Sequence, residues 1–160
     1  MTDITNPPLD TDDALWDVIR GIELLDIRVI RWHGELHDYQ ANAVGDLYPD
    51  FSVEFRNDSE TLQLRWDFDT TLRSPTSKPV ADLGLTLIQE FTFTDPETGI
   101  SISPELIHEF AKKTAIISII PFVREAVQTL TVRLGLPPVT LGLMRAGSAG
   151  PQSFSVRGTS

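Results

Sequence analysis

The chain contains no cysteine among its 160 residues. That absence excludes a disulfide scaffold, a thiolate zinc site and a cysteine nucleophile together, and it fits the cytoplasm, where disulfides do not persist. Histidine is also scarce, with three copies. His33 and His37 fall in a strand-like stretch, where four steps of roughly 3.3 Å put them about 13 Å apart, too far to share one metal ion. His108 falls in the first turns of a predicted helix and reads as an exposed or interface histidine. The glycines do not gather into a phosphate loop. The longest apolar run, Ala115–Val123, is interrupted by Ser118 and Pro121 and is far shorter than the roughly 20 residues of a membrane span. The opening MTDITNPPLDTDD is acidic and lacks the apolar core of a signal peptide.

Basic residues are scarce where the acids are dense. Residues 1–100 hold 20 Asp and Glu against 7 Lys and Arg, whereas residues 101–160 hold 3 against 6. An acidic surface of this kind repels a phosphate backbone, which disfavours nucleic acid, and attracts basic proteins or positively charged polypeptides. Asp67 and Asp69 share a strand face about 7 Å apart, and Glu54 is predicted on a neighbouring strand. They form a carboxylate cluster, but no base or nucleophile accompanies them in the pattern. The expectation is a non-enzyme without cofactor or metal and without membrane insertion.

What the chain does have is alternation followed by helical periodicity. After a flexible tail over 1–10, Thr11–Arg20 predicts a short helix, capped by Thr11 or Asp12 and ended by Gly21. Ile22–Leu36 predicts a first strand, in which Leu25, Ile27 and Val29 occupy one parity and Ile30 and Trp32 the other. Either both faces are covered there or a bulge flips the register. The stretch His37–Asp50 is long for a hairpin loop and suits a crossover. Phe51–Arg56 and Leu62–Asp69 alternate cleanly across a short polar join and predict a hairpin. Ala81–Thr94 predicts a fourth strand, followed by a turn at Asp95–Gly99. These strands amount to an antiparallel sheet with one apolar face, which at roughly 1.5–3 kcal/mol per large buried side chain must be covered.

The cover is the segment from Ser103 to Leu134. Ser103 is the expected N-cap, Pro104 the first helical residue and Gly135 the C-cap. Leu106, Phe110, Ile117, Ile120 and Val127 predict the sheet-facing stripe. Pro121 predicts a kink, since an interior proline costs about 3 kcal/mol. Apolar residues beyond that stripe predict a second contact with another copy of the chain. Ile116, Ile119, Ile120, Pro121, Arg124 and Glu125 are the candidate oligomer interface. Trp32, Tyr48, Leu136, Val139, Leu141 and Leu143 are candidates for a groove that takes extended polypeptides. Ala146–Ser160 is small, polar and rich in Gly and Ser, and reads as a disordered tail. The domain is therefore expected over 11–143, with flexible tails over 1–10 and 144–160.

The run Ile119-Ile120-Pro121-Phe122-Val123-Arg124-Glu125, followed by Arg133-Leu134-Gly135-Leu136-Pro137 and Leu141, resembles the signature helix and loop of the SecB-like chaperone family. Four strands preceding that helix match the family's order. The N-terminal helix is an addition, so the resemblance is to a divergent member. It implies an α+β fold with a four-stranded antiparallel sheet followed by a long kinked C-terminal helix, assembled as a dimer of dimers. It further implies an ATP-independent holdase that binds unfolded polypeptides, either export precursors or an antitoxin-type client. In the family an acidic sheet face docks the motor SecA, and Glu54, Asp67 and Asp69 would form that face here. Two other readings stay open. One is a hot-dog-like ligand-binding protein or enzyme, whose helix normally comes early. The other is an acidic adaptor subunit without chaperone activity.

Overall fold

The computed structural model describes residues 11–45, 47, 50–139, 141 and 153–158, the last group as backbone. Helix α1 spans Thr11–Arg20 and is followed by strands β1 (Ile22–Leu36), β2 (Asp50–Asn57), β3 (Thr61–Arg73) and β4 (Pro79–Phe93). Helices α2 (Pro96–Ser101), α3 (Pro104–Phe110) and α4 (Ile116–Arg133) come next, with a π-helical turn, Ala111–Ala115, joining the last two; β5 (Ser153–Gly158) closes the order. The sheet runs β1-β4-β3-β2-β5. The helical rod comes after the four main strands, as the sequence predicts and unlike the hot-dog arrangement. The predicted turn at Asp95–Gly99 is the start of α2, because the Asp95 side chain accepts the Glu97 amide and Pro96 starts the helix.

The first four strands pair antiparallel, β1 with β4, β4 with β3 and β3 with β2. The segment after β1 is the crossover that its length suggested. His37 and Asp38 donate backbone N–H to the carbonyl of Val80, and Gly45 donates to that of Arg73, so the chain passes the ends of β4 and β3 before entering β2. Alternation sets the faces. Phe51, Val53 and Phe55 of β2, Leu62, Leu64, Trp66 and Phe68 of β3, and Leu83, Leu85 and Leu87 of β4 are buried.

The long rod covers that face. Ser103 accepts the Leu106 amide at 3.2 Å and Pro104 follows it, the cap that the sequence predicts. At the other end Gly135 adopts φ 73°, where glycine carries no side-chain penalty. Its amide bonds to the Val132 carbonyl and that of Leu136 to Thr131, the paired bonds of a Schellman cap. The irregularity lies elsewhere than predicted. It is the π-helical turn at Ala111–Ala115, while Pro121 and Ser118 lie inside α4 and do not break it. By length and composition the rod Pro104–Arg133 would suffice to cross a membrane. Here Ile107, Phe110, Ile119, Val123 and Val127 are packed in the protein's own core.

Buried Gln89 joins the two layers. Its Oε1 accepts from Trp66 Nε1 at 2.9 Å, and its Nε2 donates to the Ala115 carbonyl at 3.1 Å and to Ser118 Oγ at 2.6 Å. The amide therefore spans from β3 through β4 to the junction of the π turn with α4. An unsatisfied polar group at this depth would cost about 1–3 kcal/mol, so the partners fix where the rod sits.

The tail reading fails for Ser153–Gly158. These residues form β5, parallel to β2, with Phe154 opposite Phe51, Val156 opposite Val53 and Arg157 opposite Glu54. A short Ser- and Gly-flanked segment looks unstructured by composition, but an available sheet edge supplies the backbone partners that the segment cannot supply itself. The hold is modest. Ordering a residue costs about 1–2 kcal/mol, and a ladder hydrogen bond returns about 0.5–1.5 kcal/mol net. The tail residues 1–10 and 144–152 lie outside the described residues.

Candidate functional site

Two surfaces stand out, on opposite faces of the sheet. The first follows β1. Its registers with β4 jump between Leu24 and Asp26 and again between Val29 and Arg31, so Leu25 and Ile30 are bulged. These are the bulges that the parity break in the sequence allowed. They bring Leu24 opposite Phe91, Val29 opposite Leu87 and Trp32 opposite Leu85, all on the helix side. The helices do not reach far enough to cover them. Leu24, Val29 and Trp32 stay 40–45% exposed, and bulged Leu25 and Ile30 reach 57% and 55%. The result is an edge strand of 15 residues with apolar side chains in water, a feature that monomers ordinarily blunt.

At one end of this margin α4 presses onto β1. A Cβ on Gly34 would stand 3.2 Å from Leu130 Cδ2 and 3.5 Å from Leu134 Cδ1, so a residue without a side chain lets the helix end come close. Trp32 is two residues away on the same face. Val139 is half-buried and its amide lies 3.5 Å from Thr131 Oγ1 of α4. Of the predicted groove residues, Trp32 and Val139 therefore flank the last turns of this helix. Leu136 and Leu141 do not belong to a groove: they are 5% and 6% exposed, because the Schellman cap turns the chain back onto the core. Tyr48 and Leu143 lie outside the described residues.

The predicted oligomer interface is corrected in the same way. Ile116, Ile119 and Ile120 are buried within the protomer and have almost no surface left to give to a second copy. The π turn widens the helical repeat just before them, so Ile116 and Ile119 join Ile120 of the predicted stripe against the core, while Ile117, predicted to face the sheet, is 54% exposed. Pro121 and Glu125 are exposed and Arg124 is half-buried. Arg124 Nε is buried with no hydrogen-bond partner among the described residues. The residues the sequence reading missed are Leu24, Leu25, Val29 and Ile30; the signal was the double parity change in IELLDIRVIRW.

The second surface is the polar face. Glu54, Asp67 and Asp69 lie on it together, as predicted. Thr86 Oγ1 donates to Asp67 Oδ1 at 2.6 Å, and Arg65 Nε lies 3.4 Å from Asp67 Oδ2. Beside them an open depression of about 330 Å³ is lined by Arg31, His33, Asp50, Asp69, Thr71 and Asp82, with Thr70 and Leu83. Gly84 gives it depth, since a Cβ there would stand 2.9 Å from Asp69 Oδ1. Partial burial holds the Asp69 carboxyl above its ordinary value, opposed by the nearby Arg31 charge. Asp82 is shifted the other way. Thr71 Oγ1 and His37 Nε2 each lie 2.7 Å from its carboxylate and hold its pKa down. His33 pairs with Glu35 at 3.9 Å, so the two histidines have separate carboxylate partners. Among the described residues no group of three or more candidate ligands could hold a metal ion.

A helix-covered antiparallel sheet with its long rod last defines an α+β protein. No protein-family model matches the sequence, and no curated protein sequence matches it. Among solved structures the chain is similar to the Mycobacterium tuberculosis SecB-like chaperone Rv1957, there in complex with a ChAD peptide from the HigA1 antitoxin Rv1956. The TM-score is 0.68 at 21% identity, covering 82% of this chain and 96% of that one. A weaker similarity, TM-score 0.41 at 10% identity, is to a Streptococcus agalactiae protein of unknown function, covering 76% of this chain and 97% of that one. The chain thus has the SecB-like fold in a divergent sequence.

Proposed function

We propose that the protein is a cytoplasmic holdase chaperone that keeps non-native polypeptides extended and apart, without nucleotide, cofactor or catalysis. The observation that carries this reading is the apolar margin of β1, left open beside α4. The shared fold with Rv1957, which is bound to an antitoxin peptide in the structure compared, supports a polypeptide as the client. Apolar contacts along an extended chain suit a binder that must accept many sequences. Affinity then accumulates over several weak contacts on one client.

The protein works as a homo-oligomer, a dimer of dimers. A second copy meets the β1 edge, where unpaired backbone groups and Leu25 and Ile30 await a partner. Trp32 and Val139 flank the groove that the client enters. The polar face with Glu54, Asp67 and Asp69 receives a basic partner, SecA in an export setting. An antitoxin-type client is the alternative cargo.

The test is light scattering of an aggregation-prone unfolded substrate without nucleotide. Stoichiometric amounts of the protein should suppress the signal. Unchanged aggregation at a several-fold excess would remove the holdase reading.

A further inference from the structure

We propose that β5 is a built-in competitor at the β2 edge, and that this edge accepts an extended client segment by strand addition once β5 is displaced. The inference rests on the holdase reading for the nature of the client, but the edge itself is defined by backbone geometry.

The β2 strand has two sides. One is paired with β3 along Asp50–Asn57, and the other with β5 from Asp50 to Phe55. Strand β5 reaches the sheet at this edge, as its outermost strand. Its pairing is parallel, the slightly less stable arrangement per residue. Backbone bonds gained there are nearly offset by the cost of ordering six residues. Such a strand exchanges with a chain that offers the same backbone groups.

The register states what the edge accepts. Apolar positions 154 and 156 stand opposite apolar Phe51 and Val53, and Arg157 stands opposite Glu54. The edge therefore fits an extended segment with alternate apolar residues followed by a cation. Acidic surroundings favour that cation: Asp50 is at one end of the paired stretch, and Glu54 near the other. Tethering gives β5 an effective concentration on the order of millimolar, so it excludes weak or accidental segments and yields to long clients bound at several points. It also shields a strand edge that would otherwise recruit other edges.

The experiment uses the full chain and a labelled peptide of sequence GPQSFSVRGTS, residues 150–160. Val156→Pro removes a backbone donor and disrupts the tethered strand without touching the core strands. The variant should bind the free peptide at least tenfold tighter than the wild-type chain, and an unfolded client should compete the peptide away. It should also suppress aggregation at a several-fold lower concentration. Arg157→Glu, which keeps the backbone and reverses the charge opposite Glu54, should give a smaller gain in peptide binding and carries the test if V156P does not fold. Equal peptide binding by wild type and both variants would overturn the proposal, as would peptide binding that no client displaces. If neither wild type nor variant suppresses aggregation, the holdase reading fails, while peptide binding still reports whether the edge accepts a strand.

Discussion

The two edges of this sheet are finished in different ways. At the β2 edge the chain spends its own last strand, and β5 pairs with backbone groups from Asp50 to Phe55. At the β1 edge none of the described residues adds a strand. Instead, 15 residues run past two bulges with Leu25 and Ile30 pushed outward. Bulges are a means of blunting an edge, because they bend the strand and disrupt the ladder. Apolar residues at the bulges defeat that purpose for a monomer and suit a surface that is covered by another protein. One edge is thus closed from within, and the proposed second copy would close the other from without. Both depend on a sheet that holds its shape between them.

The strongest way to break the comparison is to remove what both edges share. Gln89→Leu takes away the acceptor that Trp66 Nε1 uses and the donor to the Ala115 carbonyl and Ser118 Oγ. Lost bonds of this kind at a buried site cost about 2–4 kcal/mol in total. Chemical denaturation should show that loss, with both edges affected together. A loss below about 1 kcal/mol would mean that the rod is held by apolar packing alone.

The next change separates the edges. Leu25→Lys combined with Ile30→Asp places charges at the two bulges of the β1 margin, where both residues are already more than half exposed. Protomer stability should change by less than about 1 kcal/mol, while self-association weakens at least about 100-fold, or about 2.7 kcal/mol. Sedimentation velocity reads the oligomer, and a thermal melt reads the fold. An unchanged oligomer would move the copy–copy contact to the exposed part of α4 around Ile117. The β2 counterpart is the V156P chain, which should leave the oligomer intact and change only peptide and client binding.

The sheet was readable because alternation is a local property. Phe51–Arg56 and Leu62–Asp69 show it residue by residue, and the helix caps at Ser103 and Gly135 show as single-residue signals. The first strand was readable as a problem, with parity broken twice, but not as a solution. Choosing bulges required knowing that β4 lies beside it. The helix interior is legible in part: Phe110, Ile120 and Val127 are buried as a period of 3.6 predicts. Ile117 is not, because after the π turn at 111–115 Ile116 and Ile119 take its place against the core. Nothing in AKKTA announces a wider turn. The pull comes from packing, with Ala115 meeting Gln89 across the layer. The candidate site suffered from the same cause, since Leu136 and Leu141 read as groove residues until the Schellman cap folds them under. Strand β5 escaped for the opposite reason: its order comes from β2, about a hundred residues earlier.

The smallest expected effect tests how the open edge ends. His37, just past β1, bonds Asp82 of β4 at 2.7 Å, and Thr71 of β3 bonds the same carboxylate. The bonds from Thr71 and then His37 hold the Asp82 pKa below its ordinary 3.8. A lowered carboxylate pKa means the folded chain prefers the charged form. The stabilisation is therefore present above the ordinary value and is lost as pH falls through the lowered one. Both partners are partly in water, with side chains 35% and 44% exposed, so the pair contributes only about 0.5 kcal/mol. Asp82→Asn should lower stability by that amount between pH 5 and 7, and the gap between wild type and variant should close as pH falls below about 3.8. Measuring the difference matters because Asp69 titrates with the opposite sign: its raised pKa favours the folded state in acid and loses that favour as pH rises. Both chains carry Asp69, so its contribution cancels. A gap that persists at pH 2.5 would assign the effect of D82N to lost packing and leave the end of β1 held by the backbone bonds from His37 and Asp38 to Val80.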